Sequence, residues 1–292
     1  MAPTTPSTAY SRDLGDELRR LRESTTSLTG NALAVRLGWD PSKVSNIENG
    51  KVRPSEVDLA QIVTTCGMDT EYFDGFKRRY QRAFDEYVVL APGSLGTLAM
   101  AEATATTITT YDVLTVSGLV QTDAYADGVY RHAAQVGEQR IPELVRIRGD
   151  RQAVLRKVHA PKCLFYVHEI ALRQQFGDDQ VMEEQYLQLL FNAHMIRIVP
   201  ADRPAISAGL MLLEFAKAMP VAHSDGELAR VFVQESKAIA RTRQMFDHLA
   251  QIALDEEQSR RKLMEYISPR RDHPDLPHRS RRARPRHQEP GR

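Results

Sequence analysis

TGNALAVRLGWDPSKVSNIENG, residues 29 to 50, is the stretch that decides how the N-terminal part of the chain folds. Thr29 stands as a side-chain cap before a helix containing Ala32, Leu33, Ala34 and Leu37. Gly38 ends that helix, because glycine enters the left-handed conformation of a helix C-terminus without steric cost. Asp40 and Pro41 open the next helix, a capping carboxylate followed by proline at the first helical position. This third helix runs to Asn49, stops at Gly50 and buries Val44 and Ile47. Two short helices joined by a tight turn with glycine form a helix-turn-helix unit, and the small Ala32 and Ala34 let the pair pack closely.

Working outward, Leu14, Leu18 and Leu21 predict a first helix with one apolar stripe. Ser55 and Asp58 form a capping-box pattern ahead of Leu59, Ile62 and Val63, and Gly67 ends that fourth helix. Phe73, Phe76, Tyr80 and Phe84 predict a longer helix over residues 73 to 89, with Lys77, Arg78, Arg79 and Arg82 on its other faces. Two uses compete for it: dimerisation or domain docking, or a plain connection with a solvated basic face. The expected division is a flexible arm over residues 1–10, a helix-turn-helix DNA-binding domain over 11–74, and a connecting helix and linker over 75–94. An α+β regulatory or interaction domain over 95–267 and a disordered basic tail over 268–292 complete it.

With Val44 and Ile47 turned inward, Pro41, Ser42, Ser45 and Asn46 face outward and are the expected base contacts. Asparagine bonds adenine in a bidentate manner, and serine bonds several base edges. Thr29, Gly30, Lys43, Lys51 and Arg53 are the expected contacts to the DNA backbone. A bundle with merely solvated polar positions does not require this joint order of caps, glycines and spacings. Double-stranded DNA is therefore the expected partner, and a homodimer on a palindromic operator the expected arrangement. Trp39, the single tryptophan, is expected to pack in the turn rather than read DNA.

Residues 14 to 55, LGDELRRLRESTTSLTGNALAVRLGWDPSKVSNIENGKVRPS, resemble an Xre-type helix-turn-helix of the Cro/C1 class. The marks are Leu33-Ala34, Leu37-Gly38, the run from Val44 to Gly50, and Pro54. The resemblance implies a mainly α, five-helix, lambda repressor-like domain. It also implies that Glu48 pairs with an arginine of the first helix, for which Arg22 is the candidate, in an architectural role. The family often has Gln where Gly30 stands, and the loop before Thr29 is one residue longer than usual.

The larger C-terminal part reads as helical over residues 99 to 158 and then changes pattern. Apolar runs at 163–168, 195–199 and 210–215, with a short edge at 218–222, predict a small sheet. Helices at 180–193 and 236–254 lie between and after them, an α+β arrangement. This part resembles the regulatory domain of unknown function in actinobacterial, WhiJ-like Xre regulators. Glu102-Ala103, SGLVQTDAYA at 117–126, Arg148-x-x-Arg151-Gln152, HEIALR at 168–173, VMEEQYLQLL at 181–190, IRIVP at 196–200 and SAGLMLLEF at 207–215 carry the likeness. Usual members have Pro where Ser117 stands, and often an acidic residue near His223. Such regulators are antitoxin-like and often encoded beside a small partner protein. The resemblance thus implies input from a small partner or ligand, and an alternative in which holding that partner is the main task and DNA binding serves autoregulation. Gln121, Arg148, Arg151 and Gln152 are the candidate partner or ligand surface; structural ion pairing on a charged helix is the plainer use of the arginines.

Hydrophobic residues at 42% and charged residues at 26% describe a chain that packs a core. Arg270 to Arg292 hold eight arginines against Asp272, Asp275 and Glu289, so the rest of a chain of net charge +1 is acidic. No long apolar run or secretory leader is read, and Cys66 and Cys163 are too few for a disulfide framework. A cytoplasmic protein, nucleoid-associated when bound to DNA, is expected. No phosphate loop, HExxH or GxSxG is found, so no enzyme, no cofactor and no metal is expected. His168 and Glu169, read as strand neighbours, point to opposite faces and make a poor metal pair.

Overall fold

Helix α1 (Ala9–Thr25) begins where Thr8 closes a capping box with Ser11. The Thr8 hydroxyl oxygen accepts from Ser11 N at 2.9 Å, while Thr8 N donates to Ser11 Oγ at 2.9 Å. The computed structural model describes residues 7–91, 95–133, 137–206, 209–226 and 228–267. The flexible arm expected over residues 1–10 is corrected at its end: Thr8, Ala9 and Tyr10 are buried, and the Thr8 hydroxyl also donates to Ala83 O. Residues 1–6 and the expected basic tail lie outside the described residues.

Helices α2 (Gly30–Leu37), α3 (Pro41–Glu48), α4 (Glu56–Thr65) and α5 (Thr70–Gln81) complete a five-helix N-terminal part. The connecting helix expected to reach Val89 stops at Gln81, and β1 (Tyr87–Leu90) follows. The β-branched Val88 and Val89 favour extension, and β1 pairs antiparallel with β7 (Arg230–Val233), at the edge of the sheet. The aromatic ladder of α5 points inward: Phe76 lies 5.6 Å from Tyr80 and Tyr80 5.9 Å from Phe84, ring centre to ring centre. Phe76 and Tyr80 are buried within the chain and belong to its main hydrophobic core.

The remaining elements are α6 (Gly96–Thr104), β2 (Thr107–Asp112), α7 (Asp123–Ala133), α8 (Ile141–Gln152), β3 (Lys162–His168), α9 (Glu169–Arg173) and α10 (Asp179–Phe191). After them come β4 (Ile196–Val199), β5 (Gly209–Glu214), β6 (Val221–Asp225), α11 (Ser236–Ile252) and α12 (Glu256–Ile267). The α+β class holds, with a sheet larger than expected: seven strands in the order β1-β7-β6-β5-β2-β3-β4 among the described residues. β2, β3 and β4 run parallel and the other pairings are antiparallel. Strand β2 falls in the region read as helical. Its TITTYD sequence is β-branched and alternates, and it pairs with both β3 and β5.

One sheet face packs Tyr111, Leu212 and Ala222 against Ile239, Phe246 and Leu249 of α11. On the other face Ile108, Phe165, Leu213, Val221 and Phe232 belong to a core that continues through Leu98 into Leu14, Leu18, Ile47, Phe76 and Tyr80. The helical part is therefore fused to the sheet part through one hydrophobic core. Polar contacts follow the same seam: Thr97 Oγ1 donates to Asp13 Oδ2 at 2.6 Å, and Ala9 N donates to Gln234 Oε1 at 2.7 Å. The Arg12 guanidinium sits over the Phe215 ring, 4.8 Å from its centre.

Helix α1 approaches the end of α3 at backbone distance. A Cβ built on Gly15 would stand 2.7 Å from Gly50 N and from Ile47 O. Gly15→Ala is expected to lower unfolding stability by about 1–3 kcal/mol through overpacking. Gly75→Ala, on α5 where a Cβ meets only Arg78 Nη2 at 4.0 Å, is expected to raise it by about 0.5–1 kcal/mol. Denaturant titration of both variants checks the pair of signs.

Candidate nucleic-acid interface

The turn between α2 and α3 is built from its caps. Gly38 takes φ 68°, and Trp39 N donates to Ala34 O at 2.8 Å. The Asp40 carboxylate accepts from Ser42 N at 2.7 Å and starts α3 with Pro41 in its first turn. Leu33, Ala34 and Val44 form a small core under this pair, with Leu28, Leu37 and Trp39 packed against it. Trp39 thus packs, and the Lys43 ammonium lies over its ring at 4.0 Å while bonding Asp58 Oδ1 at 2.6 Å. Lys43, an expected contact to the DNA backbone, is ion-paired with Asp58 within the domain and keeps 40% of its side chain exposed.

Pro41, Ser42 and Ser45 are exposed, Asn46 is half-buried, and Val44 and Ile47 are buried. The Asp40 carboxyl is held below the usual carboxylate range by hydrogen bonds from the Ser42 hydroxyl and the Ser42 backbone N–H. Ser45 Oγ accepts from Asn49 Nδ2 at 3.2 Å. Lys51 and Arg53 are exposed beyond the helix, the Arg53 guanidinium 5.2 Å from the centre of the Phe84 ring. Thr29 Oγ1 accepts from Ala32 N at 3.2 Å, and Gly30 is the first residue of α2. Backbone N–H groups in such a first turn have no intrahelical acceptor and suit a phosphate oxygen.

Helix α3 is clamped at its other end. Arg22 Nε lies 2.7 Å from Glu48 Oε1 and Nη2 lies 2.8 Å from Oε2, a bidentate pair with both residues 5% exposed. Arg22 Nη1 donates to Leu28 O at 2.9 Å, so the same guanidinium fixes the loop before α2. Arg19 Nη2 donates to Asn49 Oδ1 at 2.8 Å, and Ser11 Oγ donates to Gly50 O at 2.8 Å. Every one of these contacts joins α1 to the C-terminal end of α3 or to the loop before α2.

Gln121, Arg148, Arg151 and Gln152 do gather in one place, but not as an open surface. Arg151 is paired in a bidentate manner with Glu102, at 2.8 and 2.7 Å, with 8% of its side chain exposed. Gln152 Nε2 donates to Gly118 O at 3.0 Å and to Gln121 O at 2.8 Å, a strut beneath a short 3₁₀ turn (Gly118–Val120). Gln121 and Arg148 bond one another and line a cavity with Asp112, His223 and Asp225. These last three were not singled out from sequence; the signal was the alternation in TITTYD, which places Thr110 and Asp112 on one face. His168 caps α9 through Nδ1, which accepts from Ile170 N at 3.2 Å. Among the described residues no group of three or more His, Cys, Asp or Glu is placed to hold a metal ion. No helix among them is long and apolar enough to cross a membrane.

Residues 13–74 match a family model described as a helix-turn-helix domain, which suggests a DNA-binding regulator. Residues 95–265 match the model of a domain of unknown function, DUF5753. No curated protein and no solved structure matches the chain.

Removing one partner of the buried pair strands the other charge. Glu48→Ala is expected to cost about 3–5 kcal/mol of unfolding stability. An equilibrium denaturation curve superimposable on the parent's would contradict the clamp.

Proposed function

The chain belongs to the DUF5753 family, and from that premise and its helix-turn-helix domain we propose that it is a sequence-specific transcriptional regulator of the Xre-type, WhiJ-like class. It binds a palindromic operator as a homodimer and takes its regulatory input through the C-terminal part. The observation that carries this reading is the division of labour on α3. One face is fully committed to packing and to the Arg22–Glu48 clamp, while Pro41, Ser42 and Ser45 stand free of the core. A helix held rigidly at both ends with a small, polar outer face is suited to enter a major groove, which admits a helix of this width.

Within that reading, Asn46 reads a base edge, Ser42 accepts from an exocyclic amine, and Lys51 and Arg53 bind phosphate beside the N–H groups of Thr29 and Gly30. Lys43 serves through Trp39 and Asp58 as a brace. The dimer reading draws on β1, which among the described residues ends the sheet with one strand partner and exposes Tyr87 and Val89 at 55% and 58%. An edge strand of this kind offers unpaired backbone groups to a second copy.

The test is binding to operator and scrambled duplexes over a salt series, read by fluorescence anisotropy. Asn46→Ala is expected to lose about 1–3 kcal/mol of discrimination at one base pair per half-site. Lys51→Ala is expected to weaken all duplexes alike and to reduce the salt slope by about one. Unchanged discrimination in the first variant, or a sequence-dependent loss in the second, would reject these roles.

A further inference from the structure

Strand register sets up a second site. Thr110 opposes Met211, Met211 opposes His223, Asp112 opposes Gly209, and Asp225 opposes Arg230. Opposed residues share a face, and so do residues two apart on one strand. Thr110, Asp112, His223, Asp225 and Arg230 therefore lie on the same face as the buried Ile108, Leu213, Val221 and Phe232. That face is apolar along most of its length and turns polar at one end. There, Gly209 presents no side chain, Arg148 and Arg151 of α8 approach, and a cavity of about 200 Å³ remains.

The polar groups around this cavity are unevenly satisfied. Arg151 is neutralised by Glu102, and Arg230 lies 3.0 Å from Asp225. Arg148 has no carboxylate within ion-pair distance among the described residues. Its Nη1 is bonded to Gln121 and its Nη2 donates to Tyr130 OH at 2.8 Å. Its Nε is buried with no hydrogen-bond partner among the described residues, and the same is true of His223 Nε2, whose residue is 4% exposed. An orphaned buried donor costs free energy that a bound acceptor recovers. Burial pushes the Asp112 carboxyl up to about 7, against the opposing effects of the Thr110 hydrogen bond and the Arg148 charge. Burial likewise lowers His223 to about 4, with Asp225 opposing and Arg230 and Arg151 adding to the shift, so its imidazole is neutral. Below neutrality the lining holds one uncompensated cation, Arg148, with a protonated carboxyl and a neutral imidazole beside it.

We propose that this cavity binds a small carboxylate-bearing metabolite through Arg148, Asp112 and His223, and that its occupancy is relayed to the recognition helix. The volume exceeds that of an engineered cavity of about 150 Å³ that admits benzene, which sets the ligand at about six to ten non-hydrogen atoms. The carboxylate accepts from Arg148 Nε–H and from the protonated Asp112, and meets His223 Nε2. The relay is short. Leu98 of α6 lines the cavity, Glu102 of α6 holds Arg151, and Thr97 of α6 bonds Asp13 of α1. Helix α1 in turn carries the Ser11 and Arg22 contacts that fix both ends of the Gly50 and Glu48 region. This relay rests on the DNA-binding reading; the ligand site does not.

Isothermal titration of the full chain with pyruvate, succinate and benzoate, and with inorganic phosphate and acetamide as comparisons, tests the site. At least one of the three carboxylates is expected to bind saturably at one site per chain, with acetamide silent. Arg148→Gln is expected to weaken that binding about ten- to hundredfold, while Arg146→Gln, at an exposed position on the same helix, leaves it unchanged. Affinity is expected to fall several-fold between about pH 6 and about pH 8, as Asp112 ionises and repels the anion, and to stay level in Asp112→Asn. Should Arg148→Gln fail to fold, by circular dichroism, the pH profile of Asp112→Asn decides alone. No saturable binding of any of the three carboxylates, or tighter binding of phosphate than of all three, overturns the site. Carboxylate binding that leaves operator affinity unchanged overturns the relay. A protein that binds carboxylate but retrieves no operator in either state fails the DNA-binding reading and leaves the cavity standing.

Discussion

The guanidinium of Arg22 holds both oxygens of Glu48 inside the helical core, and the placement of α3 depends on that contact. Two buried charges gain little net stability from each other, since each gives up its hydration to enter the core. What the pair gains is position. Its geometry is bidentate and admits one arrangement, and the spare Arg22 Nη1 ties down the loop that precedes α2. Gly15 lets the α1 backbone come within contact of Gly50, so the clamp closes on a helix end with almost no slack. The outer residues Pro41, Ser42 and Ser45 of α3 stay exposed to solvent.

Helix α1 has a second set of obligations. Its N-terminal half is bonded to the sheet part through Asp13, Ala9 and the Arg12–Phe215 stack. The same helix thus serves as scaffold for α3 and as seam to the DUF5753 part, with one hydrophobic core running beneath both. A hinged, independent head is not what this chain builds. Strain or ordering introduced at α6 has a packed and hydrogen-bonded route through α1 to α3, and a fused core responds by discrete repacking rather than by soft bending.

The helix-turn-helix was legible because its signals are local. Thr29, Gly38, Asp40-Pro41 and Gly50 are caps and stops whose meaning lies in backbone chemistry, and they set α2 and α3 correctly. The sheet was legible only in part. β3, β4 and β5 announce themselves as apolar runs, whereas β2 carries four polar residues in TITTYD and β1 is a four-residue strand after an aromatic helix. Both owe their conformation to long-range pairing, which no short window contains. The Arg148 cluster was visible as charge on a helix. Its meaning was not, because Asp112, His223 and Arg148 come from three separate segments that only the sheet register brings together. Lys43 shows the same limit from the other side: its pairing with Asp58, fifteen residues on, is not contained in the local pattern.

Whether this chain selects DNA by sequence is decided by a pull-down of sheared genomic DNA with the purified full-length protein at near-physiological salt. Enrichment of one palindromic motif near promoters is expected, its half-sites centred about 10–10.5 base pairs apart or a multiple of that. Recovery of DNA without any shared motif would contradict it.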